Sequence, residues 1–170
     1  GRDVPETSAL VYVDALEKVL HELHERGGRD YRIAWGGGRM FITKDRYAAD
    51  WSMVDRGWKH HVLGEGRGFS NASEAIQTLR DENAGMIDQD LLGFVIVDAE
   101  GAPVGPIRDG ASVVLFNFRG DRALELTRAF TEPELSEFER GPIPEVEFVG
   151  MMEYDGDLHL PRHYLVQPPS

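Results

Sequence analysis

The stretch SVVLFNF, residues 112–118, decides the fold class. Its side chains are apolar on both faces of an extended chain, which is typical of a central strand in a parallel sheet. The apolar stretches FVIV at 94–97 and YRIAW at 31–35 predict two earlier strands. Residues 145–151 and 158–166 are predicted to complete the sheet.

Helical periodicity alternates with these strands. Apolar residues recur at helical spacing over residues 8–26, 50–63 and 121–130. Asn71 or Ser73 is predicted to cap one further helix. Strands that alternate with helices predict an α/β fold, with three layers, α/β/α, around a mostly parallel mixed sheet.

Composition limits the class of protein. The 170 residues include 30 acidic and 18 basic ones, for a net charge of −12, so nucleic acid and anionic membranes are disfavoured as partners. The chain has no cysteine, which excludes disulfides and a thiolate zinc site. No apolar run reaches the roughly 20 residues of a membrane span, and nothing is typical of a signal peptide. We expect one domain, residues 1–170, in the cytoplasm.

Fifteen of the basic residues are arginine, whose planar fork grips a carboxylate or phosphate at two points. Arg39 follows the strand YRIAW, Arg119 ends SVVLFNF, and Arg122 opens the next helix. Ligands of open α/β sheets lie beyond the carboxyl ends of the strands, so these three are predicted to converge on an anion pocket. Arg46 is close enough in sequence to fold back onto the same edge. The alternative for each is an ordinary surface ion pair.

Other side chains give weaker signals. Asp3 is the best acid–base candidate because it neighbours Arg2 ahead of the first helix, although a helix cap or turn explains it equally well. His21 and His24 lie three apart on a helix without a third ligand, so no metal site is predicted. The residues alone therefore indicate a protein that binds a small anionic metabolite without a self-contained catalytic apparatus.

Longer motifs run in order along the chain. They are GRD at 1–3, GRMFITKDRYAADWSMVDRGWKHHVLGEG at 38–66 and FNFRGDR at 116–122, together with EAIQTLR, VGPIRDG and YDGDLHLPRHYLV. These motifs resemble the cofactor-independent phosphoglycerate mutases of plants and trypanosomatids. That family joins an alkaline-phosphatase-like domain, with a nucleophilic serine and two manganese ions, to an inserted transferase domain. The chain is similar to the transferase domain alone.

The resemblance implies roles for individual residues. The positions that match substrate-binding ones are Arg2, Asp3, Arg39, Arg46, Arg119 and Arg122. The arginines are expected to clamp the carboxylate and the phosphate, while Asp3 is the catalytic residue that meets a substrate hydroxyl and assists proton transfer. The reaction interconverts 3-phosphoglycerate and 2-phosphoglycerate in glycolysis and gluconeogenesis through a phosphoserine, and needs no 2,3-bisphosphoglycerate.

The chain also departs from the family's pattern. Gly120 replaces an alanine and Lys44 a methionine, but neither change removes a binding side chain. The serine nucleophile, the metal ligands and a substrate-contacting histidine are absent. We therefore expect this fragment to bind substrate without turning it over and to hold no cofactor, with manganese in the missing domain.

Two hypotheses follow about the partners of the chain. In the first, a monomer works with the phosphatase-like domain of its own chain on the two phosphoglycerates, and the start inside the GRD motif favours this one. In the second, a stand-alone, non-catalytic module binds a small phosphorylated carboxylic acid. Arg80, on a helix face, and Arg140, in a loop, are expected to lie outside the predicted strand-end pocket.

Overall fold

The computed structural model describes residues 3–42 and 50–167, with the backbone alone for Arg122. The chain forms two compact units. Unit 1 comprises Gly1–Ile42 and Lys59–Pro106, and unit 2 comprises Thr43–Trp58 and Ile107–Ser170. The single domain that the chain length predicts stays a prediction.

Helices and strands alternate along most of the described chain. The α-helices are α1 (Ala9–Gly27), α2 (Trp51–Trp58), α3 (Ala72–Glu82) and α4 (Leu124–Thr131). The strands are β1 (Trp35–Gly36), β2 (Arg67–Phe69), β3 (Phe94–Ile96), β4 (Ser112–Leu115) and β5 (Glu147–Gly150). A π-helical turn covers Lys59–Leu63, and 3-10 turns cover Asp88–Asp90 and Gly120–Arg122.

Unit 1 is built on a three-stranded mixed sheet. Its order is β1-β3-β2, with β3 antiparallel to β1 and parallel to β2. All three residues of β3 are buried, as the apolar stretch at 94–97 predicts. Asn71 caps α3 by accepting a hydrogen bond from the backbone N–H of Glu74 at 2.8 Å, which confirms one of the two predicted caps.

The two faces of this sheet are covered differently. On one face, α3 and β3 share an apolar core whose buried members are Phe69, Ala72, Ala75, Ile76, Leu79, Leu91, Phe94 and Ile96. On the other face lies the π-helical turn: a Cβ built on Gly66 comes within 2.9 Å of the His60 ring and 3.3 Å of Val95 Cγ1. Helical segments on both faces of a mixed sheet confirm the predicted α/β/α layers.

Unit 2 is built on a parallel pair of strands, β4 and β5, in register from Ser112 opposite Glu147 to Leu115 opposite Gly150. Its core is aromatic. The rings of Trp58 and Phe130 lie 4.8 Å apart between centroids, and those of Phe130 and Phe148 lie 5.1 Å apart. Aromatic pairs at these separations add specific geometry to a large buried apolar area.

The stretch SVVLFNF differs most from its prediction. The observed strand ends at Leu115, pairs with one neighbour, and leaves Val114, Phe116 and Phe118 exposed by 51%, 83% and 73%. The prediction of a central, doubly buried strand is therefore wrong, and two small sheets replace the single continuous one. Residues 158–166 form isolated bridges, such as Gly150 with Tyr164, where a strand was expected.

The predicted helices are confirmed with shifted ends. The helix expected over 50–63 is α2 followed by the π-helical turn, and the one expected over 121–130 is a 3-10 turn followed by α4. Gly28 ends α1 with a left-handed φ of 59°, a conformation that glycine adopts without steric cost. Of the helices in the described part of the chain, none is long and apolar enough to span a membrane.

Candidate anion-binding site

The six candidate residues fall into three groups. Arg2 and Arg46 lie outside the described residues. Asp3 and Arg39 belong to unit 1, and Arg119 to unit 2. Arg122 also belongs to unit 2, where it ends a 3-10 turn. The predicted convergence of the arginines from both units on one edge stays a prediction.

Arg39 lies on a turn that is clamped on both sides. The N–H of Gly38 donates to the carbonyl of Leu91 at 2.8 Å, and the N–H of Met40 donates to the carbonyl of Gln89 at 3.0 Å. A Cβ on Gly38 would overlap that same Gln89 carbonyl, so only glycine lets the two chain segments approach this closely. The sequence places glycine where the backbone of Arg39 needs it.

The side chain of Arg39 is held as well. Its Nε–H donates to Gln89 Oε1 at 2.6 Å, and the side chain is half-buried. A guanidinium carries five N–H donors in a rigid fork, and this bond uses one of them. Its two terminal amino groups have no hydrogen-bond partner among the described residues. They can therefore bind two oxygens of a carboxylate or phosphate.

The 3-10 turn at Asp88–Asp90 also anchors the segment that carries Asp3. The buried Asp88 carboxylate accepts the N–H of Ala9, the first residue of α1, at 2.9 Å, and its backbone N–H donates to the Glu6 carbonyl at 2.8 Å. Its second oxygen pairs with Arg80. One turn thus fixes both Arg39 and the start of α1, while Asp3, three residues before Glu6, is exposed.

Arg119 is displayed in a different way. Its backbone is bracketed by the Asn117 amide, which accepts the Arg119 N–H and donates to the Arg119 carbonyl, both at 3.2 Å. The next residue, Gly120, packs against the Tyr154 carbonyl, which a Cβ would approach to 2.8 Å. The Tyr154 hydroxyl donates to the Leu115 carbonyl at 2.8 Å, and burial raises its pKa. The loop is braced, and the Arg119 side chain itself is exposed.

Arg80 and Arg140 do structural work that sequence reasoning missed. Arg140 is 6% exposed and donates to three carbonyls, those of Ala129 at 2.9 Å, Glu132 at 2.7 Å and Pro133 at 3.0 Å. Its own carbonyl accepts the Trp58 indole N–H at 2.9 Å. Arg80 pairs with Asp88, so neither arginine is a passive surface residue. Their predicted position outside the pocket stays a prediction.

The histidines are divided between surface and core. His21 and His24 are exposed on α1, and no three metal-ligating side chains come together within residues 3–42 and 50–167. His61 is buried with its ring centroid 5.1 Å from that of Trp35. Burial, helped by the neighbouring His60, lowers the pKa of His61 to about 3, so this ring is neutral at pH 7.

Fold and side chains together define an α/β protein in which Arg39 follows β1 and Arg119 follows β4. Residues 1–156 match the family model described as the BPG-independent PGAM N-terminus. The chain belongs to that family, and the resemblance drawn from its motifs is confirmed.

Proteins of similar sequence and structure match the whole length of this chain. It is 61% identical to a probable 2,3-bisphosphoglycerate-independent phosphoglycerate mutase of Leptospira interrogans and 54% identical to the mutase of Trypanosoma brucei. It also matches a crystal structure of Leishmania mexicana phosphoglycerate mutase at low cobalt concentration, with 49% identity and a TM-score of 0.97. In each case all of this chain is covered and 31% of the other. The chain thus spans about a third of these relatives.

Proposed function

We propose that this chain is the phosphoglycerate-binding part of a phosphoglycerate mutase that interconverts 3-phosphoglycerate and 2-phosphoglycerate without 2,3-bisphosphoglycerate. The observation that carries the proposal is the guanidinium of Arg39, held by Gln89 with its terminal donors directed to no protein group in the described chain. Family membership supplies the substrate class, because relatives that match the whole chain carry the mutase name.

The substrate has a carboxylate at one end and a phosphate at the other, and arginine suits both. In this proposal Arg2, Arg39, Arg46, Arg119 and Arg122 clamp these two groups. Each charge-assisted contact contributes about 1.5–3 kcal/mol. Asp3 meets the free hydroxyl of the glycerate and assists its proton transfer, a role that suits an exposed carboxylate next to Arg2 in sequence.

Catalysis requires a companion domain in a longer protein. There a serine accepts the phosphoryl group and returns it to the other hydroxyl after the glycerate has turned in its pocket, and two manganese ions belong to the same domain. Within the described residues of this chain no three metal-ligating side chains come together, and the proposal places the metal ions in the companion domain. The structure of the Leishmania mexicana enzyme at low cobalt concentration agrees with a divalent metal in the larger enzyme.

Exposed apolar residues on β4 and directly after it support the proposal of a companion domain. Val114 lies on β4, and Phe116 and Phe118 lie in the segment between β4 and Arg119; all three side chains are exposed. Adjacent exposed aromatic side chains of this kind mark interaction surfaces. A domain that covers them also brings its serine towards a substrate held by Arg119. We expect the whole protein to be a cytoplasmic monomer.

The test compares the protein as its gene encodes it with residues 1–170 alone. In a coupled assay with manganese, the encoded protein is expected to convert 3-phosphoglycerate, whereas residues 1–170 are expected to be inactive. Titration calorimetry on residues 1–170 is expected to show weak binding of 3-phosphoglycerate that falls as salt rises, because the ion pairs are partly solvated. Manganese-dependent turnover by residues 1–170 would contradict the companion domain, and salt-indifferent binding would contradict the arginine clamp.

A further inference from the structure

We propose that Gln89 is the positioning residue of Arg39, fixing the direction in which that guanidinium meets the substrate. This inference rests on the proposed function, since it concerns how the same site is prepared for phosphoglycerate. Gln89 lies 50 residues beyond Arg39 in sequence, on a 3-10 turn, and is half-buried.

The geometry gives Gln89 two separate contacts with the Arg39 turn. Its backbone carbonyl accepts the N–H of Met40 at 3.0 Å, and its side-chain Oε1 accepts the Nε–H of Arg39 at 2.6 Å. The first contact sets where the turn lies, and the second sets how the side chain points. A substitution of the Gln89 side chain removes the second contact and keeps the first.

The chemistry of an amide oxygen suits this role. An Nε–H bond orients the planar guanidinium about its long axis and leaves the Nη1 and Nη2 pair for a two-point grip on an anion. Because the amide is neutral, it leaves the charge of Arg39 available to the ligand. A carboxylate in its place would form an ion pair with Arg39 and compete with the substrate.

The turn that carries Gln89 is itself held rigidly. Its neighbour Asp88 is buried, paired with Arg80 and bonded to the backbone N–H of Ala9. A positioning residue on a fixed turn restricts the rotamers of Arg39 before the ligand arrives. The substrate then loses less binding free energy to side-chain ordering, which corresponds to about three- to tenfold in affinity for one long side chain.

The experiment is a double-mutant cycle in the protein as its gene encodes it. Gln89→Met keeps the length of the side chain and removes the acceptor, and Arg39→Ala removes the group it acts on. We expect Gln89→Met to raise KM for 3-phosphoglycerate about three- to tenfold with kcat within twofold. In the Arg39→Ala background the same change is expected to have no further effect.

Two further variants test the chemistry. Gln89→Glu keeps an acceptor oxygen but adds a competing charge, so it is expected to weaken binding at least as much as Gln89→Met. Gln77→Met is the matched control, because Gln77 is exposed on α3 and its amide bonds to Asp81 at 2.7 Å. It is expected to leave KM, kcat and the thermal midpoint unchanged.

Three results would overturn the positioning role of Gln89. Wild-type kinetics for Gln89→Met would overturn the inference. So would an effect that persists in the Arg39→Ala background, because Gln89 would then act through something other than Arg39. A fall in thermal midpoint matched by a loss of kcat would show a merely structural role and would also overturn it.

A readout without substrate separates this inference from the proposed function. The Nε–H of Arg39 is expected to exchange slowly with solvent by NMR in the wild type and several-fold faster in Gln89→Met. Equal exchange rates would overturn the positioning role even in an active enzyme. If the Arg39 Nε–H exchanges slowly in a wild-type protein that binds no phosphoglycerate, the proposed function is refuted. The contact between Gln89 and Arg39 is confirmed in that case.

Discussion

Arg39 in unit 1 and Arg119 in unit 2 are displayed in opposite ways. Arg39 is clamped through the backbone on both sides and through its own Nε–H, whereas Arg119 has a braced backbone and an exposed side chain. The held arginine has fewer rotamers to lose when it binds an anion. The exposed one can adapt to a ligand that moves.

A third arginine shows what full burial does to the same side chain. Arg140 donates hydrogen bonds to three backbone carbonyl groups of its own unit, and burial lowers its pKa. We therefore expect stability and ligand binding to depend on different arginines. Substitutions at these sites should separate the two properties.

The largest expected effect is the loss of Arg140. Arg140→Met is expected to lower the free energy of unfolding by about 3–5 kcal/mol, because it leaves three carbonyls without their donor beside the core of unit 2. Urea denaturation measures this directly. Arg119→Ala is the contrast, and a loss there above about 0.5 kcal/mol would mean that the exposed arginine also stabilises the fold.

The next effect concerns turnover. Arg39→Ala and Arg119→Ala are each expected to reduce kcat/KM by about 10- to 150-fold in the encoded protein, which corresponds to a lost contact of 1.5–3 kcal/mol. Arg119→Lys is expected to recover little, since lysine lacks the two-point fork. Arg26→Ala, in an exposed pair on α1, is the control. Similar kinetics for all these variants would end the assignment of the site.

A pH effect distinguishes the buried histidine of unit 1. With a pKa of about 3 in the folded chain and 6.5 in the unfolded chain, His61 binds a proton preferentially in the unfolded state between these values. The stability that comes from keeping His61 neutral is fully present above pH 6.5 and is lost as pH falls towards 3. The free energy of unfolding is expected to have fallen by about 2 kcal/mol at pH 5. Urea denaturation at pH 7 and 5 should show this fall in the wild type and a smaller one in His61→Phe.

The smallest expected effect is on the exposed segment that follows β4. Phe118→Ala in residues 1–170 is expected to change the free energy of unfolding by less than about 0.5 kcal/mol, because the ring is already in water. Phe148→Ala, in the core of the same unit, is the matched control and is expected to cost about 3 kcal/mol. Comparable losses in the two variants would show that Phe118 is covered in solution.

Local patterns were enough to predict much of this structure. Helical spacing predicted α1, and the cap at Asn71 predicted the start of α3, because both signals involve residues within one or two turns. The motif resemblance identified the family because it extends over nearly the whole chain. The position of glycine beside Arg39 was also informative, since a close backbone approach requires it.

Long-range partners could not be predicted in this way. Gln89 lies 50 residues from Arg39, and the Trp58 indole lies 82 residues from the Arg140 carbonyl. No local pattern connects such residues. The apolar stretch SVVLFNF misled for a related reason, because hydrophobicity predicts that a surface should be covered but not whether the cover lies in the same 170 residues.

The way the chain divides between the units has a consequence for its synthesis. Trp58 is made before most of unit 1, yet its partner Arg140 emerges 82 residues later. At ordinary translation rates this is a delay of roughly 4–16 s. In unit 1, the hydrogen bond from the Ala9 N–H to the Asp88 carboxylate likewise joins residues 79 positions apart. The first segment of unit 2 is therefore synthesised before unit 1 is complete. Neither unit can form these long-range contacts until its later segment has been synthesised.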